Sequence, residues 1–242
     1  MRRLAFLASF ALGIALANHT LARPADIAAP AVNTYILLDR TGSMQGIWDE
    51  ALKSVNSYAE DLGKSDKTLK ASVTLAVFDA QDGLKFDVLR DHAAPDAWKD
   101  VTSAEASPRG MTPLYDAIGR IMAMADHDNP KKAVIVIMTD GEENASREVT
   151  SAGVKAALDR ARAKGWEVVF LGAQFANFAD AQHVGMAASK TMAVDKSGLT
   201  ATMRRLARKS ASYGSATTAA PAPITFDAED RAAAKEDRVK GQ

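Results

Sequence analysis

The side chains best suited to chemistry in this sequence are five oxygen-bearing residues that follow strand-like runs or precede a helix. They are Asp39, Thr41, Ser43, Thr112 and Asp140. Ligands of open α/β sheets bind outside the carboxyl ends of the strands, so we expect these side chains to converge at one edge of the fold. The alternating spacing of Asp39, Thr41 and Ser43 directs their side chains toward one point, and Gly42 lets the backbone bend closely there.

Three hydroxyls and two carboxylates form the oxygen-rich kind of site that hard divalent cations prefer. Mg²⁺ is the favoured cation because it takes about six oxygens in an octahedron, with Mn²⁺ or Ca²⁺ as alternatives. Hydroxyl ligands neutralise little of the cation's charge, which leaves it strongly attracted to one more carboxylate. The sequence therefore predicts a cation site completed by an acidic residue from a protein partner. Residues flanking the five are predicted to form the partner-binding rim: Arg40, Met44, Gln45, Arg109 and Met111.

Alternating strand and helix patterns are predicted to position these residues. The strand-like runs cover 33–38, 69–78, 84–89, 133–138, 167–171 and 191–194. The helix-like runs cover 47–62, 113–125, 149–164, 176–184 and 199–210. The runs 69–78 and 84–89 flank a turn at Gly83 and predict an antiparallel hairpin, whereas 133–138 is apolar throughout, as in a parallel strand buried on both faces. The predicted fold class is α/β, a doubly wound and mostly parallel sheet of about six strands with helices on both faces.

The two ends of the chain differ from this pattern. Arg2 and Arg3 precede an apolar run at 4–17, and small residues follow, which predicts a signal peptide over 1–22 and an exported, periplasmic or secreted protein. That run is shorter than the roughly 20 residues of a membrane span, so no integral span is expected in the mature chain. We expect a linker over 23–31, a folded domain over 32–212, and a flexible, charged tail over 213–242.

Three motifs resemble those of the von Willebrand factor A family. Asp39–Met44, with the sequence DRTGSM, resembles the family's opening D-x-[ST]-G-S-M, Gly110–Leu114 resembles its middle threonine loop, and Met138–Glu142 resembles its closing aspartate. Together these motifs make the family's metal-ion-dependent adhesion site (MIDAS). The resemblance covers roughly 34–210 and implies a Rossmann-like sheet whose antiparallel edge strand comes from the run 84–89. The stretch 166–173 also resembles bacterial stand-alone members.

The resemblance assigns roles to the five oxygen-bearing residues. It implies that Thr41, Ser43 and Thr112 contact the metal most directly, and that Asp39 and Asp140 act directly or through water. Thr41 stands where many members carry serine, and its hydroxyl can coordinate equally. Glu142 and Glu143 either extend the metal site or are solvated residues before a helix, of which the second is favoured.

Other function classes find less support in the sequence. Thirty Lys and Arg balance thirty Asp and Glu, so no field favours nucleic acid, and the absence of cysteine removes thiol chemistry. No phosphate-binding loop or nucleophile elbow occurs, and Thr41 stands where haloacid dehalogenase-type phosphatases carry a second aspartate. We therefore expect no enzyme. An accessory subunit of a larger, for example ATPase-linked, complex is the alternative, and a metal-dependent hydrolase is a remote one.

Overall fold

The computed structural model of the protein describes residues 29–174, 177–218 and 221–241. The predicted signal peptide over 1–22 and most of the predicted linker lie outside the described residues. None of the described helices is long and apolar enough to cross a membrane.

Six strands form a single sheet in the described part of the chain. They are β1 (Ala31–Asp39), β2 (Lys70–Ala80), β3 (Leu84–Ala93), β4 (Ala133–Thr139), β5 (Glu167–Ala173) and β6 (Thr191–Val194). Their order is β3-β2-β1-β4-β5-β6, and every neighbouring pair is parallel except β2 and β3. The predicted fold class and the antiparallel hairpin are thus confirmed. This order puts β1 and β4 side by side at the centre of the sheet. The strand order reverses between them, and ligands of such sheets bind at this point.

Helices cover both faces of the sheet. They are α1 (Trp48–Ser65), α2 (Leu114–Asp128), α3 (Ser151–Ala163), α4 (Ala179–His183), α5 (Leu199–Ser215), α6 (Ala228–Ala234) and α7 (Glu236–Lys240). Successive side chains of a strand point to opposite faces, so the side chains of β1 contribute to two hydrophobic cores, one on each face of the sheet. Ile36 and Leu38 pack with residues of α1 and α5, whereas Tyr35 and Leu37 pack with residues of α2 and α3. All four side chains are fully buried, which fixes the register of β1 and the position of the residues after it.

The carboxyl-terminal segment corrects the prediction of a flexible tail over 213–242. Helix α5 continues to Ser215, and Ile224 and Phe226 are buried in the core that contains α1 and α5. Beyond them, α6 and α7 lie against the outer edge of β6, where Glu236 accepts a hydrogen bond from the Ala193 N–H. Charged composition is misleading here because two of the acidic side chains, Asp230 and Glu236, are buried in ion pairs instead of being solvated.

Two buried carboxylates show how this segment is held. Asp230 is paired with Arg205 and Lys209 of α5, and Glu236 is paired with Arg231. Both carboxylates are almost completely buried. Since buried charges in proteins are normally paired, these contacts allow a charged sequence to pack against the sheet. The segment therefore completes the domain at the β6 edge.

Candidate metal centre

Asp39 is the last residue of β1 and the most deeply buried member of the predicted site. Its carboxylate is fully buried and accepts two hydrogen bonds, one on each oxygen. The Thr41 N–H donates to Oδ1 at 2.7 Å, and the Thr139 hydroxyl donates to Oδ2 at 2.6 Å. The carboxylate is thus held in one orientation by donors from its own loop and from the neighbouring strand β4.

A chain of hydrogen bonds joins Asp140 to the loop after β1. The Ser43 hydroxyl donates to Asp140 Oδ1 at 2.7 Å, and Ser43 Oγ lies 3.1 Å from Thr41 Oγ1. Because Ser43 gives its proton to Asp140, it accepts from Thr41. Thr41 is buried, Asp140 is half-buried and Ser43 is exposed, so the chain of oxygens leads from the sheet edge to solvent.

Thr112 completes the cluster from the opposite side. A Cβ at Gly141 would lie 3.5 Å from Thr112 Oγ1 and 3.8 Å from Ser43 Oγ, which puts both hydroxyls around the same small space. The five predicted residues are therefore brought together at the carboxyl ends of β1 and β4. No group of three or more His, Cys, Asp or Glu in residues 29–174, 177–218 and 221–241 could hold a metal. A cation in this cluster would thus depend on hydroxyl oxygens as much as on carboxylates.

The two carboxylates of the cluster are electrostatically uncompensated. Burial raises the pKa of Asp39 to about 7, although hydrogen bonds from Thr139 and Thr41 oppose the shift. Burial also raises the pKa of Asp140. Among the described residues, no Lys, Arg or His side chain pairs with either carboxylate. Buried charges need a counter-charge, so the donor set fits a divalent cation in chemistry and in charge.

Arg40 is next to Asp39 in the sequence but does not neutralise it. Its Nε donates to Asp79 Oδ1 at 2.7 Å and its Nη2 donates to Asp87 Oδ2 at 2.5 Å. The side chain is 4% exposed, so the prediction that Arg40 contacts a partner is wrong. Backbone alternation after β1 turns this side chain away from Asp39 and toward the ends of β2 and β3, where it closes a buried ion pair.

The other predicted rim residues divide into buried and exposed ones. Met44 is fully buried in the core with Leu38 and α1, so its prediction as a contact residue is also wrong. The short 3-10 helix Gly42–Gly46 turns Met44 inward and leaves Gln45 outside. Met111 is 55% exposed beside Thr112. Arg109 is 43% exposed, and its Nε donates to Asp79 Oδ2 at 3.0 Å.

The loop that carries Thr112 is tied to the elements around it. Gly110 adopts a φ of +71°, and its carbonyl accepts from the Gly42 N–H at 3.2 Å. Met111 exchanges two backbone hydrogen bonds with Ala80 at the end of β2, at 2.9 and 3.2 Å. A Cβ at Gly110 would lie 2.4 Å from the Ala80 carbonyl oxygen, so this close approach requires glycine.

Three polar residues near the site were not predicted as part of it. Thr139 lies within the motif Met138–Glu142, and it links Asp39 to the Gly141 N–H, which donates to its hydroxyl at 3.1 Å. Asn144 and Asp116 bind backbone groups of the loops that carry Thr112 and Asp140. Their roles depend on contacts across the fold, and no local pattern in the sequence indicates them.

Glu143 has a structural role instead of extending the metal site. Its Oε1 accepts from the Ala145 and Ser146 N–H groups at 2.9 and 2.7 Å, and its Oε2 accepts from the Tyr115 N–H at 2.8 Å. These bonds fold the segment after β4 onto the start of α2. Glu142 is exposed and accepts a hydrogen bond from Asn177.

The comparison with known protein families agrees with the fold described above. The sequence model of the von Willebrand factor type A domain (VWA) matches residues 33–206, and the chain belongs to this family. None of the curated protein sequences compared with the chain matches it significantly.

Solved structures of other proteins share the fold. The von Willebrand factor domain of the type V pili tip protein Mfa5 from Porphyromonas gingivalis aligns with a TM-score of 0.59 and 12% identity, covering 75% of this chain and 95% of that one. The pilus adhesin SpaC from Lactobacillus rhamnosus GG, in its open conformation, aligns with a TM-score of 0.61 and 14% identity, covering 77% and 31%.

A third structure carries a metal. Proximal thread matrix protein 1 from the mussel byssus, with its MIDAS motif occupied by zinc, aligns with a TM-score of 0.53 and 16% identity, covering 76% of this chain and 48% of that one. The chain thus spans less than half the length of this protein and of the pilus adhesin. At such identities the likeness shows the fold alone.

Proposed function

We propose that this chain is an exported VWA domain protein that binds a protein partner through a divalent cation. The cation, Mg²⁺ by preference, lies among Thr41, Ser43, Thr112, Asp39 and Asp140, and an acidic side chain of the partner completes its coordination. The observation that carries the proposal is the buried Asp39 carboxylate, which has only uncharged hydrogen-bond donors. A cation beside Ser43 and Asp140 would supply the missing positive charge.

The accessibility of the cluster supports a ligand from outside the chain. Ser43 is exposed and Asp140 is half-buried, so a cation between them faces solvent. Mg²⁺ retains open coordination positions when the protein supplies few carboxylates. Exposed Gln45, Arg109 and Met111 lie within three residues of Ser43 or Thr112 in the chain, and Met111 offers an apolar contact beside the partner's acidic residue. The arrangement favours binding over catalysis, because the Ser43 hydroxyl donates to Asp140 and, among the described residues, no His or Lys side chain pairs with it as a general base.

The similar structures support a metal-binding protein outside the cell, and the amino-terminal sequence supports its export. Mfa5 and SpaC are pilus proteins, and the mussel byssus protein holds zinc in its MIDAS motif. The signal-peptide pattern over 1–22 agrees with export. Mass spectrometry of the mature protein tests this part: loss of about 17 or 22 residues at the amino terminus is expected, whereas an intact Met1 would favour the accessory-subunit alternative.

Affinity capture from the cell-envelope and secreted fractions of the producing cells tests the binding function. Wild-type and Asp140→Ala proteins serve as baits, each in Mg²⁺ and in excess EDTA. We expect a protein that the wild type retains in Mg²⁺ and releases in EDTA, and that the variant does not retain. A partner captured equally in all four conditions would show that binding does not use the cation.

A further inference from the structure

Both backbone polar groups of Thr112, its N–H and its carbonyl, form hydrogen bonds with one residue, Asn144. The Asn144 side-chain Oδ1 accepts a hydrogen bond from the Thr112 N–H at 2.9 Å. The Asn144 backbone N–H donates to the Thr112 carbonyl at 3.0 Å. Asn144 lies four residues after Asp140 in the chain, so this double contact joins the loop of one candidate ligand to the backbone of another.

The side-chain contact is the part that depends on asparagine. The backbone N–H of Asn144 is available to any residue other than proline, whereas the acceptor for the Thr112 N–H comes from the side chain. The next residue, Pro113, has no N–H, so it cannot add a donor at this turn. Without Oδ1 the Thr112 backbone would be held on its carbonyl side only, and its hydroxyl would lose its fixed direction.

The segment around Asn144 is secured independently. Asp116 accepts hydrogen bonds from the N–H groups of Arg147, Glu148 and Val149, at 2.8, 3.0 and 2.7 Å. Ser146 Oγ accepts from the Asp116 N–H at 3.0 Å and donates to Glu143. The fold of the segment therefore depends on Asp116, Glu143 and Ser146. The role that remains for the Asn144 side chain is to position Thr112.

We propose that Asn144 is a positioning residue of the metal centre. It does not touch the cation; it fixes Thr112 Oγ1 relative to Ser43 and Asp140 by accepting from the Thr112 N–H. The proposal rests on the function proposed above, since it requires a cation between these side chains. Residues that orient metal ligands in this way contribute about 10- to 100-fold in metal affinity.

Isothermal titration of Mg²⁺ into four purified proteins tests the proposal. They are the wild type, Asn144→Ala, Asn144→Asp and Ser146→Ala. Asn144 is exposed, so its replacement leaves the core intact. We expect Asn144→Ala to bind Mg²⁺ about 10- to 100-fold more weakly. Asn144→Asp keeps an oxygen for the Thr112 N–H and should bind at least as tightly as the wild type. Ser146→Ala should lower the metal-free melting temperature and leave the affinity for Mg²⁺ unchanged.

The outcomes separate this proposal from the proposed function. A wild type that takes up no Mg²⁺ would remove the proposed function itself. If the wild type binds and Asn144→Ala binds equally well, Asn144 has no positioning role. Equal losses in Asn144→Ala and Ser146→Ala, or a loss in Asn144→Asp that matches Asn144→Ala, would also overturn the proposal, because the affinity would then follow the general stability of the segment.

Discussion

The Thr139 hydroxyl donates a 2.6 Å hydrogen bond to the buried carboxylate of Asp39, and this bond joins the ends of β4 and β1 inside the candidate metal centre. Thr139 also accepts from the Gly141 N–H, so one side chain fixes Asp39 and the turn that follows Asp140. The donors to Asp39 carry no charge, which leaves the negative charge of the carboxylate to be balanced by something that binds there.

The effect of Mg²⁺ on stability should depend on pH. Burial raises the pKa of Asp39 to about 7 in the metal-free protein, from 3.8 in the unfolded chain. The folded state therefore binds the proton more tightly, and the stability of the metal-free protein falls as pH rises from about 4 to about 7. A cation takes the place of this proton. We expect the increase in melting temperature caused by Mg²⁺ over EDTA to be larger near pH 8 than near pH 5.5. An increase of equal size at both would place the cation away from Asp39.

The substitution Gly141→Ala should fill the space between the hydroxyls of the centre. Its methyl group would lie 3.5 Å from Thr112 Oγ1 and 3.8 Å from Ser43 Oγ, so it would occupy part of the space that a cation between the two hydroxyls needs. We expect Mg²⁺ affinity to fall at least about tenfold with little change in metal-free stability, as measured by titration and urea denaturation. Gly46→Ala is the control, because a Cβ there meets no atom within 4 Å. Similar affinities in the two variants would contradict the assigned geometry.

Arg40 should contribute to folding and not to partner binding. The substitution Arg40→Ala removes one of the two arginines that contact Asp79, whose side chain is fully buried. Breaking a buried ion pair costs about 3–5 kcal/mol, so we expect a loss of that order in the free energy of unfolding. Exposed Gln45 provides the control, and Gln45→Ala should change stability by less than about 0.5 kcal/mol. A small loss in Arg40→Ala would mean that the ion pair is not closed in solution.

Phe226 should behave as a core residue although it lies in a segment of charged composition. It is 7% exposed and packs in the core that contains α1 and α5. The substitution Phe226→Ala should lower the free energy of unfolding by about 3–5 kcal/mol. Glu229 is 84% exposed, so Glu229→Ala should cost about 1 kcal/mol or less. If Phe226→Ala unfolds at the same urea concentration as Glu229→Ala, the carboxyl-terminal segment does not pack on the domain.

The sequence allowed prediction of the fold and of the clustering of the five oxygen-bearing residues. The compact apolar run of β1 and the unbroken apolar run of β4 identify central strands, and the polar residues directly after them fall at the binding edge. The alternating spacing of Asp39, Thr41 and Ser43 also indicates that their side chains point toward one place. These inferences depend on short-range patterns that the backbone geometry enforces.

Side-chain direction in the loops could not be predicted in the same way. Arg40 and Met44 flank the site in sequence, yet one closes an ion pair with Asp79 and the other enters the core. Asn144 acts on Thr112 across 32 positions, a separation at which the sequence carries no local signal. The prediction of a flexible tail over 213–242 is wrong for a related reason, because composition does not show which charged side chains form ion pairs.

The most direct test of the account is the titration of Mg²⁺ into metal-free wild-type protein and into Asp140→Ala near pH 8. Asp140 receives the Ser43 hydroxyl bond and lies at the solvent side of the cluster, so its removal deletes a ligand without opening the core. We predict a single saturable site in the wild type and no measurable heat of binding in the variant. Saturable binding of the same affinity in both proteins would contradict the assignment of the cation to this cluster.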